Sequence, residues 1–166
     1  MDDPEAAPDD DVAAATGTEA GTEASPGDAI VTVAWAGTGV FVATATLATI
    51  LPDDIASLAA VVDVLLFAVG VVAFLWSYGI AVSRSRVDRV SIAGVYFLAD
   101  EVAPREVRIR LRLALAVQIV VAIVSASIRL YTAVAFGVLV PVFGLGLMGL
   151  WGARHGRFPP RDDTDR

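Results

Sequence analysis

The sequence predicts an all-α integral membrane protein: a four-helix bundle of two transmembrane hairpins, preceded by a disordered acidic N-terminal tail. Three observations predict it. The chain is 56% apolar and only 19% charged, with a mean hydropathy of +0.68. Its charges largely avoid four long apolar runs. Seven of its twelve basic residues crowd into residues 83–112, between the second and third runs. Arginine-dense loops of membrane proteins stay in the cytoplasm, so this loop sets the orientation of everything else.

The charge balance divides along the chain. Residues 1–28 hold nine acids and no base, while the remainder has 12 bases against 10 acids, a balance of +2. The tail is made almost entirely of Asp, Glu, Ala, Thr, Gly and Pro, with no aromatic residue. Such a segment cannot bury enough apolar surface to offset its conformational entropy, which predicts disorder. Its acidic start is the reverse of a signal peptide's positive n-region. Simple solvation is its leading role; the alternative is docking on a basic partner or on the protein's own arginine loop.

Several chemistries are excluded by composition. There is no cysteine, so disulfides, thiolate metal sites and Cys nucleophiles are absent. His155 is the one histidine, which leaves little scope for a histidine metal site or a Ser-His-Asp triad. All twelve basic residues are Arg, and Asn is missing. Lys and Asn use A-rich codons, so a GC-rich bacterial genome is the expected source.

The first apolar run, 30–51, has 22 residues without a charge. As a helix it extends about 33 Å, enough for a hydrocarbon core of about 30 Å. Its β-branched content would favour strands in water, but an open strand in lipid leaves backbone groups unsatisfied. Gly39 and Ala43 form a small-xxx-small pair able to admit a neighbouring helix. Pro52, Asp53 and Asp54 stop the run and cap the next helix.

The second run, 55–82, is longer than a span requires and carries Asp63. Trp76 and Tyr78 near its arginine-rich end suit the headgroup boundary. Within the cytoplasmic loop, 83–109, the stretch 90–99 is apolar but too short to span, so it is expected in the interface or packed under the bundle. Pro104 precedes the third helix. Arg105, Arg108 and Arg112 share one helical face, and Glu106 and Arg110 are an i,i+4 pair.

The third span, about 110–129, presents Ala114, Gln118, Ala122 and Ala126 at i,i+4 spacing. This small, slightly polar stripe is the expected packing face, with Gln118 bonding across to a neighbour. The fourth span, about 131–152, contains Pro141 as an expected kink, and Trp151 marks its end. Residues 154–166 form a short charged tail. Four spans with both termini inside place eleven of the twelve arginines in the cytoplasm, leaving Arg129 at the opposite end.

Few motifs offer chemistry. Gly144, Gly146 and Gly149 spell GxGxxG, but inside an apolar run and before an arginine-rich tail, so close helix packing explains them better than a dinucleotide loop. Asp63 is costly in a spanning helix. We expect it to pair with Arg129 on the outer side, with Gln118 deeper in the same interior; a proton or cation relay and an outer vestibule are the alternatives. Arg84, Arg86, Arg89, Arg105, Arg108 and Arg112 form a candidate surface for anionic lipid headgroups or a partner. Nucleic acid is not an expected partner, because Tyr96 and Phe97 sit in an apolar patch rather than among the arginines. No nucleophile–base set, metal cluster or cofactor motif appears.

The segments FLWSYGIAVSRSRVDRVSIAGVYFL and LYTAVAFGVLVPVFGLGLMGLWGARHGRFPPR, within 74–161, resemble the small uncharacterised multi-pass membrane proteins of actinobacteria. The resemblance implies a bacterial cell membrane and carries no activity across. The sequence thus points to a non-enzymatic, accessory or structural multi-pass protein without cofactors. It would act in the lipid bilayer through helix packing and its arginine-rich cytoplasmic surface, on a membrane-protein partner, a homo-oligomer being the state that the alternative needs. The alternative is a subunit of a small oligomeric channel or transporter using Asp63 and Gln118.

Overall fold

The computed structural model describes residues 27–50, 53–99, 101–128 and 133–160. The expected disordered tail therefore falls, in residues 1–26, outside the described residues. Helix α1 spans Asp28–Ile50, α2 Asp53–Arg84, α3 Ile92–Phe97, α4 Arg105–Ile128 and α5 Pro141–His155, with a 3-10 segment at Ala133–Leu139 leading into α5. No strand occurs among the described residues. Among the described residues four helical stretches are long and apolar enough to cross a membrane: Asp28–Ile50, Ala56–Arg84, Arg105–Ile128 and Ala135–His155. The chain is all-α, with the architecture of a multi-pass membrane protein.

The outward faces are apolar, as lipid demands. Ile50, Leu65, Val72, Leu75, Ile123 and Val124 are all exposed. With lipid outside, the buried sides cannot be chosen by hydrophobicity, so small residues decide how closely the helices approach. That is why α5 occupies the centre. In the most apolar stretch of each span, 56% of the residues of the fourth are buried, against 28, 22 and 28% in the first three.

Each glycine of α5 admits a different neighbour. Gly144 makes room for Gln118 and Leu115 of α4, and Gly146 lies against the Gly70 carbonyl of α2. Gly149 accepts the edge of the Tyr96 ring, and Gly152 abuts the Val95 carbonyl. The GxGxxG run is thus a packing device on more than one face of the helix. Gly39, by contrast, meets nothing within 4 Å. The expected approach at Gly39 and Ala43 does not occur within the chain, because that side of α1 faces outward.

The two hairpins interlock. The most extensive packing is α2 on α5 and α1 on α4, rather than between helices adjacent in sequence. Leu111, Ala114, Gln118, Ala122 and Ser125 form the buried stripe of α4. Ser125 takes the place expected for Ala126, because the buried line follows i+3 as well as i+4 steps.

Pro141 does not kink a continuous α-helix. It is the first residue of α5, and the 3-10 segment ends just before it. Proline has no N–H for the Gly137 carbonyl, and the Val140 amide takes that carbonyl instead, at 3.1 Å. A tighter turn thereby replaces the missing α-helical bond.

Residues 90–99 pack under the bundle and close it. Ser91 caps α3 by accepting from the Gly94 amide at 2.9 Å. Val95, Tyr96 and Leu98 are buried beneath the bundle, while Ile92 and Phe97 remain exposed. Tyr96 stacks on Phe74 of α2 with ring centroids 4.5 Å apart. The chain after α5 also returns to this end, where Asp88 and Pro160 form an antiparallel bridge.

Candidate functional site

Two polar zones stand out, one at the arginine-rich end and one inside the bundle. At the first, the start of α1, the loop 85–104 and the end of α5 all meet. Arg84 closes α2 onto α5: its Nη1 donates to the Ala153 carbonyl at 2.9 Å and its Nη2 to the Gly156 carbonyl at 3.1 Å. These are carbonyls that a helix end leaves without intrahelical partners. Asp88 pairs with the same guanidinium at 3.3 Å, and the Phe158 ring lies 5.1 Å beneath it. Arg112 does the same for α3, donating from Nη2 to the Phe97 carbonyl at 2.6 Å and from Nε at 3.0 Å.

Two members of the arginine surface are therefore already engaged in holding the end of the bundle together. Arg86 and Arg105 are exposed and Arg108 is half-buried. Arg89 is exposed, and its amide bonds the Pro159 carbonyl at 2.9 Å. Sequence reasoning ranked these arginines alike, since which guanidinium reaches a carbonyl depends on helices far apart in the chain. Glu106 and Arg110 do not form an ion pair among the described residues. Both instead line a cavity of about 380 Å³ together with Asp28, His155, Arg157 and Trp151.

Trp151 departs from the expected interfacial role. Trp35 and Trp76 are exposed, but Trp151 is 3% exposed and joins the core with Val31, Leu111 and Met148. Its Nε1 is buried without a hydrogen-bond partner. The glycine-rich surface of α5 lets neighbours close over the ring. No sequence signal marked the cavity, because Asp28, Glu106 and Arg157 come from three separate segments.

In the bundle interior, Gln118 is fully buried. Its Nε2 donates to Thr38 Oγ1 of α1 at 2.7 Å, and its Oε1 accepts from the Gly144 amide of α5 at 3.2 Å. Thr38 passes its own proton to the Ala34 carbonyl at 2.7 Å, leaving an oxygen lone pair for Gln118. Three spans meet in this layer.

Asp63 belongs to a different layer. Gly70 of α2 packs on Phe143, next to Gly144, and Asp63 lies seven residues before Gly70, about 10 Å along the helix. Phe41, Ala45, Ala122 and Val140 cluster with Leu66, one turn from Asp63, on the side toward Gly70. Asp63 is 3% exposed, and its Oδ1 has no hydrogen-bond partner. Its carboxylate lies beside Gly137 of the 3-10 segment: a Cβ there would sit 3.5 Å from Oδ2. Asp63 and Gln118 are thus both interior but in different layers, and Arg129, the expected partner of Asp63, lies outside the described residues.

Comparisons with protein-family models, with curated proteins and with solved structures return no match. The class is that of an all-α protein with four helices fit to cross a membrane.

Proposed function

We propose that this is a non-enzymatic multi-pass protein of the bacterial cell membrane, accessory or structural in role. It lies with both termini and the arginine loop in the cytoplasm, the orientation that the count of arginines favours, and the membrane is the one that the resemblance to actinobacterial proteins implies. It binds anionic lipid headgroups or a membrane-protein partner through Arg86, Arg105 and the neighbouring arginines. The observation that carries this reading is the division of the molecule. Its centre is filled by a glycine-dense helix, and the exposed charge gathers at one end. Packing to that density supports assembly more than conduction, and arginines at the membrane surface attract anionic lipid. Native mass spectrometry of the protein, extracted gently from its own membrane, tests it. Co-isolation of a different membrane protein at fixed stoichiometry, or retained anionic lipid, supports the reading; a closed homo-oligomer without either contradicts it.

A second reading is favoured by the unpartnered Oδ1 of Asp63. Ionisable groups inside the membrane commonly mark ion or proton paths. In this reading the chain is one subunit of a small oligomeric channel or transporter, with the path formed between copies. Proton or cation flux in liposomes, lost in Asp63→Asn, would establish it; absence of flux from the wild-type protein would end it.

A further inference from the structure

Residues 84–112 and 154–166 hold eleven arginines against seven acids, and with Asp28 the balance is three positive charges. Arg84 and Arg112 are engaged by carbonyls. Arg86, Arg105, Arg110, Arg154 and Arg157 are exposed. Arg110 and Arg157 border the cavity that also holds the buried indole of Trp151, whose Nε1 is a donor without an acceptor.

The acidic tail begins at the lip of this cavity. Gly27 has φ +96°, a conformation that favours glycine. A Cβ on it would collide with Trp151 Nε1 and lie 3.1 Å from His155 Cδ2. The chain entering α1 is therefore held against the end of α5, on the arginine-rich side of the molecule. Residues 1–26 carry eight acids and no base.

We propose that this tail docks on the protein's own arginine-rich face, its carboxylates occupying the exposed arginines around the cavity and competing there with anionic headgroups. Opposite charge supplies the attraction. Reach is sufficient: 26 residues can span at most about 90 Å, well beyond the width of a bundle whose helices pack about 8–10 Å apart. Tethering raises the effective concentration of the tail at this face to the order of millimolar. Screening over about 8 Å at physiological salt makes the contact salt-sensitive. The tail acts as a built-in competitor that a stronger anionic surface displaces. The inference rests on reading this face as an anion-binding surface and is independent of which partner the face serves.

The chain has no cysteine, so two spin labels can be placed on the full-length protein through Ala14→Cys in the tail and Val87→Cys, whose site is exposed. Electron–electron distance distributions are recorded in nanodiscs of zwitterionic lipid. A narrow short-distance component at 50 mM salt, lost at 500 mM and lost when the eight tail acids are replaced by Asn and Gln, is the expected result. A broad distribution unchanged by salt and by neutralisation overturns the docking. Nanodiscs containing phosphatidylglycerol should also abolish the short component; its persistence there overturns the competition. Retention of anionic lipid in native mass spectrometry reads the headgroup surface separately, so failure of the tail and failure of the surface are distinguishable.

Discussion

Gln118 and Thr38 are 80 residues apart, yet the Gln118 amide donates to the Thr38 hydroxyl at 2.7 Å inside the bundle. The bond is possible because Thr38 directs its own proton to the Ala34 carbonyl. It ties α1 to α4, while the other end of the same amide holds α5. One side chain on α4 thereby sets the register of two other helices.

This clasp is measurable. A double-mutant cycle with Gln118→Leu and Thr38→Val, followed by reversible unfolding in bicelles, should give a coupling between about 0.6 and 1.7 kcal/mol, the average and the maximum for hydrogen bonds between membrane helices. Additive effects of the two substitutions would show that the bond does not hold the helices.

The glycines should separate into two groups. Gly146→Ala directs a methyl into the Gly70 carbonyl, backbone that cannot swing aside, and should cost on the order of 2 kcal/mol as overpacking. Gly39→Ala and Gly79→Ala meet nothing within 4 Å and should leave stability unchanged or slightly raised. Thermal inactivation in mild detergent reads the order directly.

Arg84→Gln should destabilise by about 2–3 kcal/mol, since two bonds from a charged donor to carbonyls are lost. Arg84→Lys should recover only part, because an ammonium cannot reproduce the planar fork that reaches both Ala153 and Gly156. Arg86→Gln, on an exposed neighbour, should change stability by less than about 0.5 kcal/mol. Melting curves of the three variants decide whether Arg84 has the structural role assigned to it.

Asp63→Leu should stabilise the bundle. The carboxyl is buried and its Oδ1 has no partner, and an unsatisfied buried group costs about 1–3 kcal/mol. A loss of stability would reveal a partner that Leu cannot replace.

Orientation is testable with the same cysteine-free background. In intact cells, Val87→Cys should resist a membrane-impermeant maleimide, and Asp54→Cys, in the first turn of α2, should react. The reverse pattern would invert the topology.

Much of the architecture was legible in the chain. The four spans follow from apolar runs of sufficient length, since lipid forces each to satisfy its backbone internally. Gln118 was legible as a packing residue because amides among small residues have few other uses in a membrane. The depth of Asp63 relative to Gln118 was not, because both fall on interiors of spans and only the packing of Gly70 on Phe143 shows that they lie in different layers. Trp151 read as an interfacial ring because composition cannot report which way a helix face turns.

By itself, then, the sequence determined the class, the number of spans and the gathering of arginines at one end, all properties of local hydropathy and charge. Tertiary structure alone decided which helices touch, which arginines cap carbonyls, and that α5 sits at the centre. The physical reason is that lipid is as apolar as the side chains it meets. Hydrophobicity can therefore say that a helix crosses the membrane but not which face turns inward. That choice falls to backbone approach at Gly146 and Gly152, and to a few buried polar groups such as Gln118, whose partners come from distant parts of the chain.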